Sequence, residues 1–276
     1  TQLYITDDIL VSNIRPYFKK IWMADDDGGC SNDVLVFRAD RGCDSTFLYY
    51  ILANDAFFNY ASATSKGTKM PRGDKTAIMQ YKVPCFNYET QLRIGKMLRS
   101  IDDRIAVNKK INDNLQQQLF SLYENMATAS PCLKEYTLSN LCDFQEGYVN
   151  PPQTHPEYFD GEVKWLRAVD INESFIIETS RTLTKAGFES AKKSALLFEP
   201  NTIAISKSGT IGRLGIIADY MCGNRAVINI APHDTNMLAF IYCFLKSKQR
   251  EFPDMAVGSV QKNLYVSLLE PLSVSI

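Results

Sequence analysis

The chain carries its own pattern twice, and this repetition limits what it can fold into more than any other feature. "DDILVS" (Asp7 to Ser12) returns as "PNTIAIS" (Pro200 to Ser206), and "CSNDVLVFRA" returns as "CGNRAVINIA". "FLYYILANDAFF" is echoed by "FIYCFLKSKQREF", and "SKGTKMPRGDK" holds the place of "AVGSVQKNLY". Ser12 and Ser206 lie 194 residues apart, Cys30 and Cys222 192, Gly67 and Gly258 191. Blocks that keep their order with so small a drift mark a duplicated unit with short loop insertions.

Each copy reads as strand, loop, strand, amphipathic helix, glycine-containing loop and last strand. "ILVS", "TIAIS", "DVLVF" and "AVINI" are short β-rich apolar runs. "TFLYYILANDAFFNYA" and "MLAFIYCFLKSKQREF" carry apolar residues at helical spacing. "IMQYKVP" and "LLEPLSVSI" are the expected last strands. Only the second copy has a lead-in, Leu133 to Phe198, so the first reads as truncated. Within that lead-in the Asp-Gly of "DGEVK" predicts a turn before a strand at "KWLRAV".

Between the copies, Ile94, Leu98, Ile101, Ile105, Asn108, Asn112, Leu115, Leu119 and Leu122 follow alternating four- and three-residue steps. Such spacing is the heptad seam of a coiled coil. Asn108 and Asn112 cost stability there but can fix register and partner number. The fold class expected is therefore α+β, with two repeated α/β domains separated by a long coiled-coil spacer helix. The expected bounds are 1–84 for the truncated first domain, 85–130 for the helix and 131–276 for the second domain.

Composition narrows the chemistry. Thirty basic against 31 acidic side chains leave a net charge of -1, so any nucleic-acid surface must be a local patch. Seven cysteines, odd in number and without zinc-knuckle spacing, read as reduced thiols of a cytoplasmic protein, most of them core filler. No apolar run approaches the ~18 residues of a membrane span.

Motifs that suggest catalysis are incomplete. "NPPQ" (Asn150 to Gln153) lacks the aromatic fourth residue that would stack on an extruded adenine. "DGEVK" (Asp160 to Lys164) offers a Glu-x-Lys pair without the earlier Asp of a metal-dependent nuclease. "SKSGTIG" lacks the Gly-Lys-Ser/Thr ending of a nucleotide-binding loop. His155 and His233 stand apart, beside prolines, and no metal site is expected.

What remains suits binding. Ser206, Lys207, Ser208, Gly209, Thr210 and Arg213 supply phosphate donors on a loop whose glycines permit close approach. Asn224 and Arg225 can read base edges, Gln261, Lys262 and Asn263 come from a later loop, and Lys164 and Arg167 from the lead-in. The first copy offers Asn13, Arg15, Lys19 and Lys20, then Lys66, Lys69 and Arg72, at matching positions.

These blocks, together with the junction "VPCFNYETQLRIGKMLRSIDDRIAVNKKINDNLQ", resemble the specificity (S) subunit of type I restriction–modification systems. The resemblance covers nearly the whole chain. It implies a non-catalytic subunit of a prokaryotic defence system, in which two target-recognition domains, held apart by spacer helices, read a bipartite DNA site. Methyltransferase subunits and translocating nuclease subunits would be the partners. S-adenosylmethionine, ATP and Mg would reside in those partners, and this chain would hold no cofactor. The missing second spacer helix fits either a fragment or a half-type subunit that self-associates through its helix. The reading from another class is a non-DNA interaction scaffold with two repeated domains on a coiled coil.

Overall fold

The structure is a computed structural model that describes residues 1–129 and 134–276, with side chains outside 127–133. Cys132 and the expected boundary at 130/131 lie outside the described residues. The chain forms two compact units, Thr1–Asn114 and Leu115–Ile276, whose division falls inside one long helix.

In the first unit, β1 (Gln2–Tyr4) pairs antiparallel with β4 (Gly28–Cys30), and β3 (Ile21–Met23), β2 (Ile9–Ser12) and β5 (Val34–Phe37) form an antiparallel sheet in that order. Ile9 and Val11 of β2 pack with Leu52, Phe57, Phe58, Ala61 and Ile78. The helical run expected as one piece is two helices, α1 (Ser45–Ala53) and α2 (Asp55–Ala63). Asn54 breaks it. Its backbone is extended and its side chain accepts the Ala56 N–H at 2.9 Å, so one residue ends α1 and caps α2.

A short α3 (Lys75–Ile78) precedes α4 (Tyr88–Ala129), whose 42 residues are unbroken by proline and extend about 63 Å at the helical rise. Buried Gln91 fixes its start, accepting from Asp44 N and donating to the carbonyls of Gly42 and Phe86. Gly95 lets α1 approach, since a Cβ there would stand 2.9 Å from Asp44 Oδ1.

The second unit opens with β6 (Glu135–Thr137), α5 (Leu138–Leu141), β7 (Cys142–Glu146), β8 (Phe159–Leu166), β9 (Phe175–Ile176), β10 (Thr182–Leu183) and α6 (Lys185–Glu189). It continues with β11 (Leu197–Phe198), β12 (Thr202–Ser206), β13 (Leu214–Ile217), β14 (Met221–Gly223), β15 (Val227–Pro232), α7 (Leu238–Lys248), α8 (Phe252–Met255), α9 (Val266–Leu269) and β16 (Ser273–Ser275). A five-stranded sheet runs β7-β15-β12-β13-β9, and a four-stranded sheet runs β10-β8-β14-β11. Ile203, Ile205, Ile228 and Ile230 pack beneath Ile241, Phe244 and Leu245 of α7, and Phe120 and Tyr123 of α4 join this core.

The repeat survives as register. Val11 faces Ile21 and Ser12 faces Val34, just as Ile205 faces Leu214 and Ser206 faces Val227. Beyond the sheets, Ser12 N donates to Lys20 O at 3.0 Å and Ser206 N to Arg213 O at 2.9 Å. Even β1 and β4 repeat as β11 and β14, with Gln2 opposite Cys30 and Leu197 opposite Cys222. One difference follows from the lead-in: β7 covers the outer edge of β15, whereas no strand among the described residues covers that of β5.

Two local expectations are corrected. "IMQYKVP" ends α3 and continues as turn and irregular chain, and the second copy's last strand shrinks to β16, which pairs with β6. Asp160-Gly161 is no turn but part of β8, Asp160 taking a left-handed φ of 62°. Gly161 admits β10 closely, because a Cβ there would fall 2.6 Å from Leu183 O.

Candidate nucleic-acid interface

In each unit two loops distant in sequence meet at the same end of the sheet. In the first, Arg15 N donates to Pro71 O at 2.8 Å, and Gly73 N to Asn13 O at 3.0 Å. In the second, Leu264 N donates to Lys207 O at 2.9 Å. The later loop is closed alike in both, by a bridge between Lys66 and Arg72 and by one between Val257 and Asn263. Gly258 at φ 140° is required there, since a Cβ would sit 2.2 Å from Gln261 O.

The second unit's loops divide the expected contacts into two groups. Ser206 leaves the candidate surface. It is buried, its hydroxyl donates to Thr210 O, and it accepts Arg213 N at 2.8 Å, which closes the loop from inside. Lys207 is also held internally, with its ammonium 2.8 Å from Glu146 Oε1 and 4.8 Å from the Tyr265 ring centroid. Lys164 donates to Asp219, Glu178 and the Ile177 carbonyl, and these carboxylates, Asp219 foremost, raise its pKa above the ordinary lysine value. Arg167 lies 5.6 Å over the Trp165 ring and donates to Ser180. Asn224 accepts Ala226 N at 3.0 Å in its own turn, and Asn263 donates to Gln261 O.

The rest face outward. Gly209, Thr210, Arg225, Gln261 and Lys262 are exposed, and Ser208 and Arg213 are half-buried. Arg213, Arg225 and Lys262 have no ion pair among the described residues.

In the first unit Asn13 is buried, its Oδ1 unpartnered among the described residues. Lys19 pairs with Asp55 at 2.7 Å, Lys66 with Asp74, and Arg72 with Asp33 at 3.0 Å. Arg15 is half-buried, while Lys20 and Lys69 are exposed and form no ion pair among the described residues. Sequence reasoning missed the acidic partners because most lie far along the chain. It also passed over Tyr17 and Phe18, exposed at the tip of the same loop, although an aromatic pair between basic residues was visible.

Other expected features take structural places. Gln153 of "NPPQ" accepts from Arg181 at 3.0 Å. Among the described residues no three His, Cys, Asp or Glu side chains gather to hold a metal, and no helix is long and apolar enough to cross a membrane. Of the described thiols, all unpaired, Cys142, Cys222 and Cys243 are buried, Cys30 and Cys43 are half-buried, and Cys85 is exposed. On α4, Ile94, Leu98 and Leu119 are half-buried, while Ile101, Ile105, Asn108, Asn112, Leu115 and Leu122 are exposed. Val107 and Ile111, one position off the seam, are exposed as well.

A family model described as the type I restriction modification DNA specificity domain matches residues 2–117 and 133–276. Over 146 residues the chain is 24% identical to the type I restriction enzyme MjaIX specificity subunit of Methanocaldococcus jannaschii, covering 51% of this chain and 34% of that protein. Over 116 residues it is 26% identical to the type I restriction enzyme EcoDI specificity subunit of Escherichia coli, covering 41% and 25%. The chain thus matches about a third and a quarter of these relatives' lengths. The crystal structure of a type I restriction-modification system S subunit from M. genitalium shares the fold, with a TM-score of 0.60 at 19% identity, covering 99% of this chain and 72% of that one.

Proposed function

The chain belongs to the type I restriction modification DNA specificity domain family, and we propose that each of its two repeated units grips its own segment of duplex DNA. The observation that carries this reading is the paired loops, which converge in the same register at one end of both sheets. Exposed basic groups such as Arg225, Lys262, Lys20 and Lys69 contact phosphates, while Thr210 and Gln261 lie near enough in the same loops to reach base edges. The ion-paired residues behind them hold the loops rather than touch DNA.

On this reading the chain recognises and does not catalyse. Partner subunits carry out adenine methylation and restriction, and S-adenosylmethionine, ATP and Mg are bound there. The exposed apolar stripe of α4 pairs with a second helix, from a partner or another copy, and methyltransferase subunits assemble around it. Such an assembly works in the cytoplasm of a prokaryote.

The test is salt dependence of duplex binding. Several phosphate contacts release counterions, so the logarithm of affinity should fall steeply and linearly with the logarithm of salt concentration. A flat response would return the chain to the scaffold reading.

A further inference from the structure

The hairpin tip between β2 and β3 is built differently from its counterpart in the second unit. There, the left-handed positions are taken by Gly209 (φ 77°) and Gly212 (φ 85°). In the first unit they are taken by Arg15 (φ 49°) and Lys19 (φ 51°), side chains that strain this backbone region. The surroundings hold the strain in place. Arg15 N is bonded to Pro71 O, Pro16 is buried, and Lys19 Nζ is 2.7 Å from Asp55.

Between these two residues the turn Pro16–Phe18 lifts two aromatic rings into solvent. Tyr17 and Phe18 are 50% and 56% exposed, and their ring centroids lie 4.7 Å apart at 56°. The corresponding Ile211 of the second unit instead packs against that unit's core. An apolar tip with basic residues beside it combines what a duplex requires of an inserted side chain: a face for the exposed bases and cations for the flanking phosphates.

We propose that Tyr17 and Phe18 form a wedge that enters between adjacent base pairs of the duplex held by the first unit and kinks it. The proposal rests on the DNA-binding reading and adds that the two units handle their half-sites unequally, one by deformation and the other without it. A protein surface is the other occupant such a tip could take, and the test separates the two.

The full chain is used to enrich a duplex from a random-sequence pool, and the product is labelled at its ends with a donor and an acceptor dye. Wild-type chain should raise energy transfer between the ends. Tyr17→Ala/Phe18→Ala should bind about tenfold more weakly, leave energy transfer at the free-duplex value and keep the salt slope, because the phosphate contacts remain. Tyr17→Leu/Phe18→Leu should retain most of the bend. An alanine double variant that bends the duplex as wild type does overturns the wedge, whatever its affinity, and points the tip toward protein. Absence of salt-dependent duplex binding by the wild-type chain overturns the underlying DNA reading instead.

Discussion

Glu146 Oε1 lies 2.8 Å from Lys207 Nζ, so a carboxylate on β7 holds the first side chain beyond β12. Both side chains are largely buried, and removing one leaves a charge with little access to water. Glu146→Ala should destabilise the second unit by about 2 kcal/mol, measured by urea denaturation. Lys207→Met should leave the salt slope of duplex binding unchanged. A slope smaller by about one would return Lys207 to the phosphate contacts.

The exposed cations behave oppositely. Arg225→Ala and Lys262→Ala remove no ion pair among the described residues and should leave stability near wild type. Each should reduce the log–log salt slope of duplex binding by about one, with weaker binding across all sequences. Fluorescence anisotropy across a salt series measures both.

Acid should loosen the first unit through Asp8. Its buried carboxylate accepts two hydrogen bonds from Arg38, at 2.7 Å each, and these hold its pKa below the ordinary 3.8. A depressed folded-state pKa contributes stability above the unfolded value, lost as pH falls through the folded one. Thermal melts from pH 5 downward should therefore show wild type losing stability below about pH 4, and Arg38→Ala should already be weaker at pH 5 with less left to lose.

Thiol reactivity should divide by burial. Burial pushes Cys142 and Cys222 up to about 12 and Cys243 up to about 11. The thiolate is the reactive form, so iodoacetamide at neutral pH should label exposed Cys85 and spare these three until denaturant is added. Mass spectrometry of tryptic peptides reads the order.

How much of this was legible depends on how local the cause was. The duplicated strands could be read because Ser12 and Ser206 end apolar runs of the same length and flank the same kind of loop, and these set the register. The long helix could be read because its apolar spacing and lack of proline act along one segment. The break at Asn54 could have been foreseen, since an Asn inside a helical run competes for backbone donors. The fates of Lys207 and Lys164 could not. Their partners Glu146 and Asp219 lie 61 and 55 residues away in sequence, and only the folded sheets bring them together. Likewise Ser206 carries the residue type of a phosphate donor, but packing turns its hydroxyl inward.

On the proposed reading, two loop-bearing units take separate stretches of one duplex, and the length of α4 sets the gap between those stretches. The most direct measurement is the site enriched from a random-sequence pool by the wild-type chain and by a chain with one extra heptad inserted between Asn108 and Leu115. The wild-type site should hold two specified blocks around an unspecified gap, and the insertion should widen that gap by about three base pairs while leaving both blocks intact. A single continuous block, or a gap that ignores the added helix, would contradict it.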